Sequence, residues 1–292
     1  MKLYAPKYYK KFKCIADKCA HSCCIGWEID VNDAMLKKYS SLNSGYGLEI
    51  VKSISTEGAP HFKLCGGDRC PHLDEKGLCK IILNLGEDYL CDICREHPRF
   101  YNYSSVCEVG LGISCREAAR IVLTSDDYDV IEEIGEIDGD PEELIYDASG
   151  ERDRVYAILR DRSLEYAKRL WKIRSEYKIP DCDDEEALLK LKEMEYLDSS
   201  HREMFLRFSS KRRPNGSDEY LERALAYFIY RHCIESYDEE DFCARLSFCL
   251  FCEALLASLI QGGDLEEIVD LASIISEEIE YSEDNTELFT YC

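Results

Sequence analysis

The sequence predicts a mainly α protein in which an irregular, cysteine-rich metal-binding module is followed by a helical domain. Three observations predict this. Four cysteines fall within eleven residues, Cys14, Cys19, Cys23 and Cys24, and seven more follow at Cys65, Cys70, Cys79, Cys91, Cys94, Cys107 and Cys115. From about residue 151 onward, apolar residues recur at helical spacing. Between the two, residues 125–150 are rich in Asp, Glu and Gly and read as a seam. The expected division is therefore a cysteine module over 1–124, an acidic connecting segment over 125–150 and a helical domain over 151–292.

In chain order, residues 1–13 read as an aromatic arm leading to the first cysteine. Asp30 or Asn32 can cap a short helix through Tyr39, with Met35, Leu36 and Tyr39 on one face. Residues 49–55 fit a helical turn or a strand equally, and His61 to Leu64 alternates like a short strand. The Gly- and Asp-rich stretch from Cys65 to Cys79 looks like a knuckle folded around a metal. Lys80 to Leu85 is helical, Gly86 breaks it, and residues 103–114 read as one strand or a hairpin. Beyond the seam, Val155, Ile158, Leu159, Leu164, Ala167, Leu170 and Trp171 make one apolar stripe. A helix resumes over 187–197, Lys211-Arg-Arg-Pro is a basic turn, and the most apolar helices span 220–234 and 242–260. Asp264 caps the last one.

Charge separates the same parts. The net charge of −23 is carried almost wholly by residues 116–292, where 21 Lys+Arg face 45 Asp+Glu, against 15 and 14 before them. Such a surface repels nucleic acid; its plain reading is solubility, and its functional one is attraction of a basic partner or a lysine side chain. The N-terminus has no apolar h-region, and the run from Phe248 to Ile260 is shorter than a membrane span and interrupted by Glu253. We therefore expect no membrane, a cytoplasmic location, and 17 cysteines that are mostly not disulfides.

Thiolates gathered this densely select zinc, Cu(I) or iron–sulfur clusters. Pairs at zinc-like spacing exist (Cys19/Cys23, Cys65/Cys70, Cys91/Cys94), yet eleven thiols exceed one tetrahedral ion, so a cluster or two sites use the surplus more naturally. The C-x3-C-x2-C signature of radical S-adenosylmethionine enzymes is not met, since Ile25-Gly26 stand where its third cysteine is needed. A thioredoxin-type reading of Cys91-x2-Cys94 lacks the flanking strand and long helix. Cys233, Cys243, Cys249 and Cys252 sit among Phe and Leu and read as core thiols, whereas Cys182 and Cys292 read as unengaged.

The order Cys14…Cys19-x3-Cys23-Cys24-x-Gly-Trp27, Cys70-Pro-x-Leu…Gly-Leu-Cys79, Cys94-Arg-Glu-His-Pro-Arg99 and Cys107-Glu-x-Gly…Ser-Cys115 resembles the flagellin lysine N-methylase family. The resemblance continues to Tyr227-Phe-Ile-Tyr230-Arg-His and Tyr281-Ser-Glu-Asp-Asn285. It implies methyl transfer from S-adenosylmethionine to lysine ε-amines of flagellin, dependent on an iron–sulfur cluster of the 4Fe–4S kind, with zinc as the alternative metal. On that basis Cys14, Cys19, Cys23, Cys24, Cys70, Cys79, Cys94 and Cys115 are the candidate metal ligands. Arg95, Arg99 and Trp27 are candidate cofactor contacts, through a carboxylate clamp and an aromatic face. His97 and Tyr101 are catalytic candidates; His97 and His72 each read as a base, a metal ligand or a turn residue, with the turn reading preferred for His72. Gly110-Leu-Gly112 is the one glycine turn that suggests a nucleotide site, and a lone G-x-G is weak. The rival reading is a non-catalytic zinc- or iron-binding module that docks a basic partner or handles metal.

Overall fold

The computed structural model describes residues 1–19, 22–26, 28–43, 45–140 and 146–290. The chain opens not as an arm but as a strand, β1 (Lys2–Pro6), with Ala5 buried and Tyr8 buried just beyond it. Residues Lys13–His97 then form one compact unit. It holds α1 (Asp33–Ser40), α2 (Tyr46–Ser53), the strand pair β2 (Ile54–Ser55) and β3 (His61–Phe62), α3 (Lys80–Leu85) and α4 (Asp92–Glu96). Asn32 is the cap, its Oδ1 accepting from Met35 N at 2.8 Å.

The second unit comprises Met1–Phe12 with Pro98–Cys292. After β4 (Arg99–Tyr103) and β5 (Cys107–Leu111) come α5 (Arg116–Thr124) and β6 (Ile131–Glu136). The helices that follow are α6 (Ala148–Leu159), α7 (Tyr166–Glu176), α8 (Asp184–Glu193), α9 (His201–Phe205), α10 (Asp218–His232), α11 (Glu239–Leu259) and α12 (Leu265–Ile275). A π-helical turn, Ser276–Glu280, leads to α13 (Glu283–Phe289). The fold is mainly α, as expected. Cysteine spacing suggested a module ending at 124, but the compact thiol-bearing unit ends at His97.

The hairpin reading of 103–114 shifts N-terminally to β4 and β5, paired from Arg99↔Leu111 to Tyr103↔Cys107. The sheet order is β4-β5-β1-β6, with β1 parallel to β5 and antiparallel to β6. The acidic seam therefore contributes β6, whose exposed glutamates tolerate an edge position. Its residues 141–145 lie outside the described residues.

Two helical expectations are corrected. The stripe from Val155 to Trp171 is broken between α6 and α7, because the Asp161 side chain accepts from Ser163 N at 3.1 Å and makes a turn there. Trp171 consequently points outward, 69% exposed. The 187–197 helix stops at Glu193, and the Leu197 N–H donates instead to the Glu278 carboxylate at 2.7 Å. Further on, α10 and α11 pack together, and Asp264 caps α12 through Glu267 N. By length and composition α11 would also cross a membrane, but most of it is buried in this unit's core, with Glu253 paired to Arg213.

The hairpin meets α10 through hydrogen bonds, from Asn102 Nδ2 to Arg231 O at 2.9 Å and from Tyr230 OH to Val109 O at 3.1 Å, and through one ring. Phe100 lies against Tyr227, Tyr230 and the Arg231 guanidinium, and a Cβ on Gly110 would stand 2.2 Å from its Cζ. Gly110→Ala should therefore cost about 1–3 kcal/mol in urea unfolding of the second unit, as overpacked cores do. A loss under roughly 0.5 kcal/mol would contradict this account of the glycine.

Candidate metal centre

The thiol-bearing unit has a small apolar centre made of Ile29, Val31, Met35, Tyr39, Ile50, Ile54, Phe62 and Ile81, with Cys70 and Cys91 among them. Its loops are held by short bridges: Ile25↔Arg69, Cys65↔Arg69 and Leu73↔Cys79. Cys70 N donates to Cys24 O at 2.8 Å, drawing the Cys23-Cys24 segment onto the 65–79 knuckle. Within the knuckle Asp74 Oδ1 accepts from Lys76 N and Leu78 N, each at 2.8 Å. Helix α4 carries Cys94 and is flanked by its cap residues, Cys91 before it and His97 after it.

These segments place the thiols where their charges act on one another. Burial raises Cys94 well above the ordinary thiol range, and Cys91, Cys70, Cys79 and Cys23 add to the rise. Burial pushes Cys70 up to about 11; Cys79, Cys91 and Cys65 reinforce it against a backbone bond at His72. Cys91 is raised by burial and by Cys79, partly offset by the Tyr39 hydroxyl, which lies 3.5 Å from its Sγ. Cys23 is raised by hydrogen bonding with Cys24 and by burial, and lowered by the His97 imidazole. With no cation present, such thiols stay protonated; a bound cation reverses that preference.

Among the described residues, no three His, Cys, Asp or Glu side chains are drawn up as a closed set of metal ligands. No disulfide joins any of the described cysteines either. The donors nevertheless fit a thiophilic metal: soft sulfur, several strands of chain converging, and a core too slight for 85 residues. Cys23, Cys24, Cys70, Cys79 and Cys94 from the expected ligand set lie in this group, joined by Cys65 and Cys91. Their pairwise spacing was visible in the sequence, but their convergence was not. Cys14 is exposed and Cys19 half-buried, on either side of the 3-10 turn Ala16–Lys18. Cys115, at the start of α5, and the buried Cys107 belong to the other unit.

The expected cofactor contacts do not assemble a clamp within either unit. Arg95 pairs with Asp92 at 3.0 Å and donates to Leu90 O at 2.7 Å, so it braces α4. Arg99, in the other unit, donates to Tyr9 OH at 2.9 Å and covers the Tyr9 and Phe12 rings. Trp27 lies outside the described residues. Tyr101 stacks on the exposed Tyr103 with ring centroids 6.4 Å apart. Gly110 and Gly112 are accounted for by packing, the second by the approach of Tyr281 OH and Arg231.

The motifs quoted from the second half do come together. Tyr227 OH donates to Glu280 at 3.0 Å and accepts from Arg231 Nη1 at 2.8 Å, and His232 Nε2 donates to Glu280 at 2.6 Å. Ser114 Oγ donates to Tyr281 OH at 2.9 Å, while Asn285 Nδ2 donates to Glu195 O and Glu278 O. Burial alone would raise Glu280, yet Arg231 and His232 outweigh it and hold the carboxyl below its ordinary range. Cys233 and Cys249 are core thiols 3.8 Å apart, with Cys252 buried beside them and Cys243 only half-buried. Cys182 is buried rather than lying loose in a loop, and Cys292 is outside the described residues.

One ion pair joins the start of α9 to the π-helical turn. His201 Nδ1 donates to the buried Glu278 at 2.6 Å, and that bond raises the imidazole above its ordinary value. The contribution is whole below the unfolded histidine value and is lost as pH rises through the raised one. His201→Ala should cost about 1.5–3 kcal/mol at low pH, the worth of a hydrogen bond to a charged group, and less at alkaline pH. Unfolding curves at two pH values check this; a gap that does not narrow as pH rises refutes it.

Comparison with known proteins bears on part of the chain. It is 27% identical over 131 residues to proteins named lysine-N-methylase from Salmonella typhimurium (strain LT2) and Salmonella choleraesuis, covering 42% of this chain and 32% of each relative. It is 28% identical over 131 residues to the flagellar biosynthetic protein FliU of Salmonella muenchen, covering 77% of that relative. The matched stretch thus spans about a third of the lysine-N-methylases. No family model and no solved structure matches. Over some two-fifths of its length the chain is thus similar to proteins named lysine-N-methylase and flagellar biosynthetic protein FliU.

Proposed function

We propose that this chain is a protein-lysine N-methyltransferase acting on flagellin, with S-adenosylmethionine as methyl donor and an iron–sulfur cluster in the Lys13–His97 unit. The observation that carries the reading is the similarity to proteins named lysine-N-methylase and FliU. It is supported by the packing of Cys24, Cys70, Cys79, Cys91 and Cys94 in or against one small cluster, thiols that would hold the iron–sulfur group. Such a cluster supplies electron transfer and, at an open iron, a Lewis-acid position.

Lysine must lose its proton before its lone pair can attack a methyl group. The strongly acidic second unit favours approach of a lysine-bearing chain, an attraction that weakens with salt. The described residues hold no assembled cofactor clamp, so the donor's seat is not assigned to particular side chains. Full-length chain purified without oxygen, incubated with flagellin and methyl-labelled S-adenosylmethionine, should label flagellin lysines. A metal-replete preparation that leaves flagellin unlabelled overturns the reading.

A further inference from the structure

We propose that His97 is a nitrogen ligand of the metal in the thiol-rich unit, making the centre a mixed cysteine–histidine site. Cys91, Cys94 and His97 follow one another at intervals of three along α4, a spacing that sets side chains on one face of a helical segment. That face is turned to the other thiols, because Cys91 is buried in one cluster with Cys70, and Cys24, Cys79 and Cys94 pack against it. His97 Nε2 is sealed from solvent and makes no well-formed hydrogen bond among the described residues, while the ring itself interacts with the Cys23 thiol. A buried imidazole nitrogen left in that state needs an occupant, and beside several thiols a metal ion is the natural one.

The other described histidines of this unit differ. Ser53 Oγ donates to Ile50 O, so its oxygen accepts from His72 Nε2 at 2.8 Å, and His72 Nδ1 accepts from Tyr46 OH at 2.6 Å. Both nitrogens are taken, and the ring is held between Tyr46 and Phe62 as a structural part. His61 lies at the edge of the unit, with Nδ1 at Ala59 O and near Glu28. Only at His97 do a sealed open nitrogen and neighbouring thiols coincide among these described rings.

This ligand role presupposes the metal centre proposed above, and the test separates the two. Full-length chain is purified without oxygen and its iron and zinc are measured. Metal-edge X-ray absorption should show imidazole scattering in the wild type, and for an iron form pulsed EPR of the reduced state should show a nitrogen coupling. Both signals should vanish in His97→Ala and persist in His61→Ala. His97→Cys, which keeps a donor at the position, should retain metal while exchanging nitrogen for sulfur. An all-sulfur shell in the wild type, or an imidazole signal surviving in either His97 variant, overturns the role and leaves the metal reading intact. A well-folded chain free of metal overturns both.

Discussion

Cys94→Ser is expected to strip the metal from the Lys13–His97 unit and unfold it, while the second unit stays folded. The reason is the balance of the first unit. Its longest helices, α1 and α2, have eight residues each, and its buried apolar side chains form one small cluster that already includes two thiols. Ordering a domain of this size costs roughly what such a core returns, which is why small loop-rich domains use metals. Structural zinc in comparable modules contributes about 10–16 kcal/mol of apparent folding free energy. Losing one thiolate near the centre of the group therefore removes more than the unit holds in reserve. Metal analysis with limited proteolysis reads the result: cleavage confined to residues 13–97, and little metal left. A metal-free variant that resists protease throughout would sink the claim that sulfur and metal hold this unit together.

Glu280→Ala should be the most damaging single change in the second unit. The carboxylate is fully buried, with Arg231 at 3.4 Å, His232 at 2.6 Å and the Tyr227 hydroxyl on it. Deleting it leaves a guanidinium and two polar groups enclosed without their acceptor. Breaking a buried pair from one side costs about 3–5 kcal/mol. For a unit of this size that is on the order of 10 °C in Tm. Acid should act in the same direction. The Glu280 carboxyl lies below its ordinary value when folded, so its contribution is present above the unfolded value and is lost as pH falls through the folded one. Thermal unfolding of the variant across acid pH checks both statements; a loss under about 1 kcal/mol, typical of an exposed site, contradicts them.

What the sequence discloses and what it hides follow from range. Local signals were legible: the caps at Asn32 and Asp264, the knuckle from Cys65 to Cys79, and the apolar periodicity of α10 to α12. The strand character of residues 2–6 was not, because their partners lie about a hundred residues away and β pairing depends on those neighbours more than on the residues themselves. The buried acids were hidden for the same reason. Counting charges assigns Glu222, Glu253 and Glu280 to an acidic surface, yet each is enclosed with a basic partner. That partner lies at least 40 residues away in each case, so the charge tally overstates what faces water. At the centre, spacing marked pairs of cysteines but could not show that Cys65 and Cys91 join the group. Nor could it show that His97 keeps a sealed, open nitrogen while His72 does not.

The chain leaves the second unit at Phe12 and re-enters it at Pro98. During synthesis the opening strand must wait for β5 and then β6 to leave the ribosome before it has any neighbour to pair with. The whole thiol-bearing segment emerges in that interval, so it can order as a nascent domain of its own before the helices of the second unit exist.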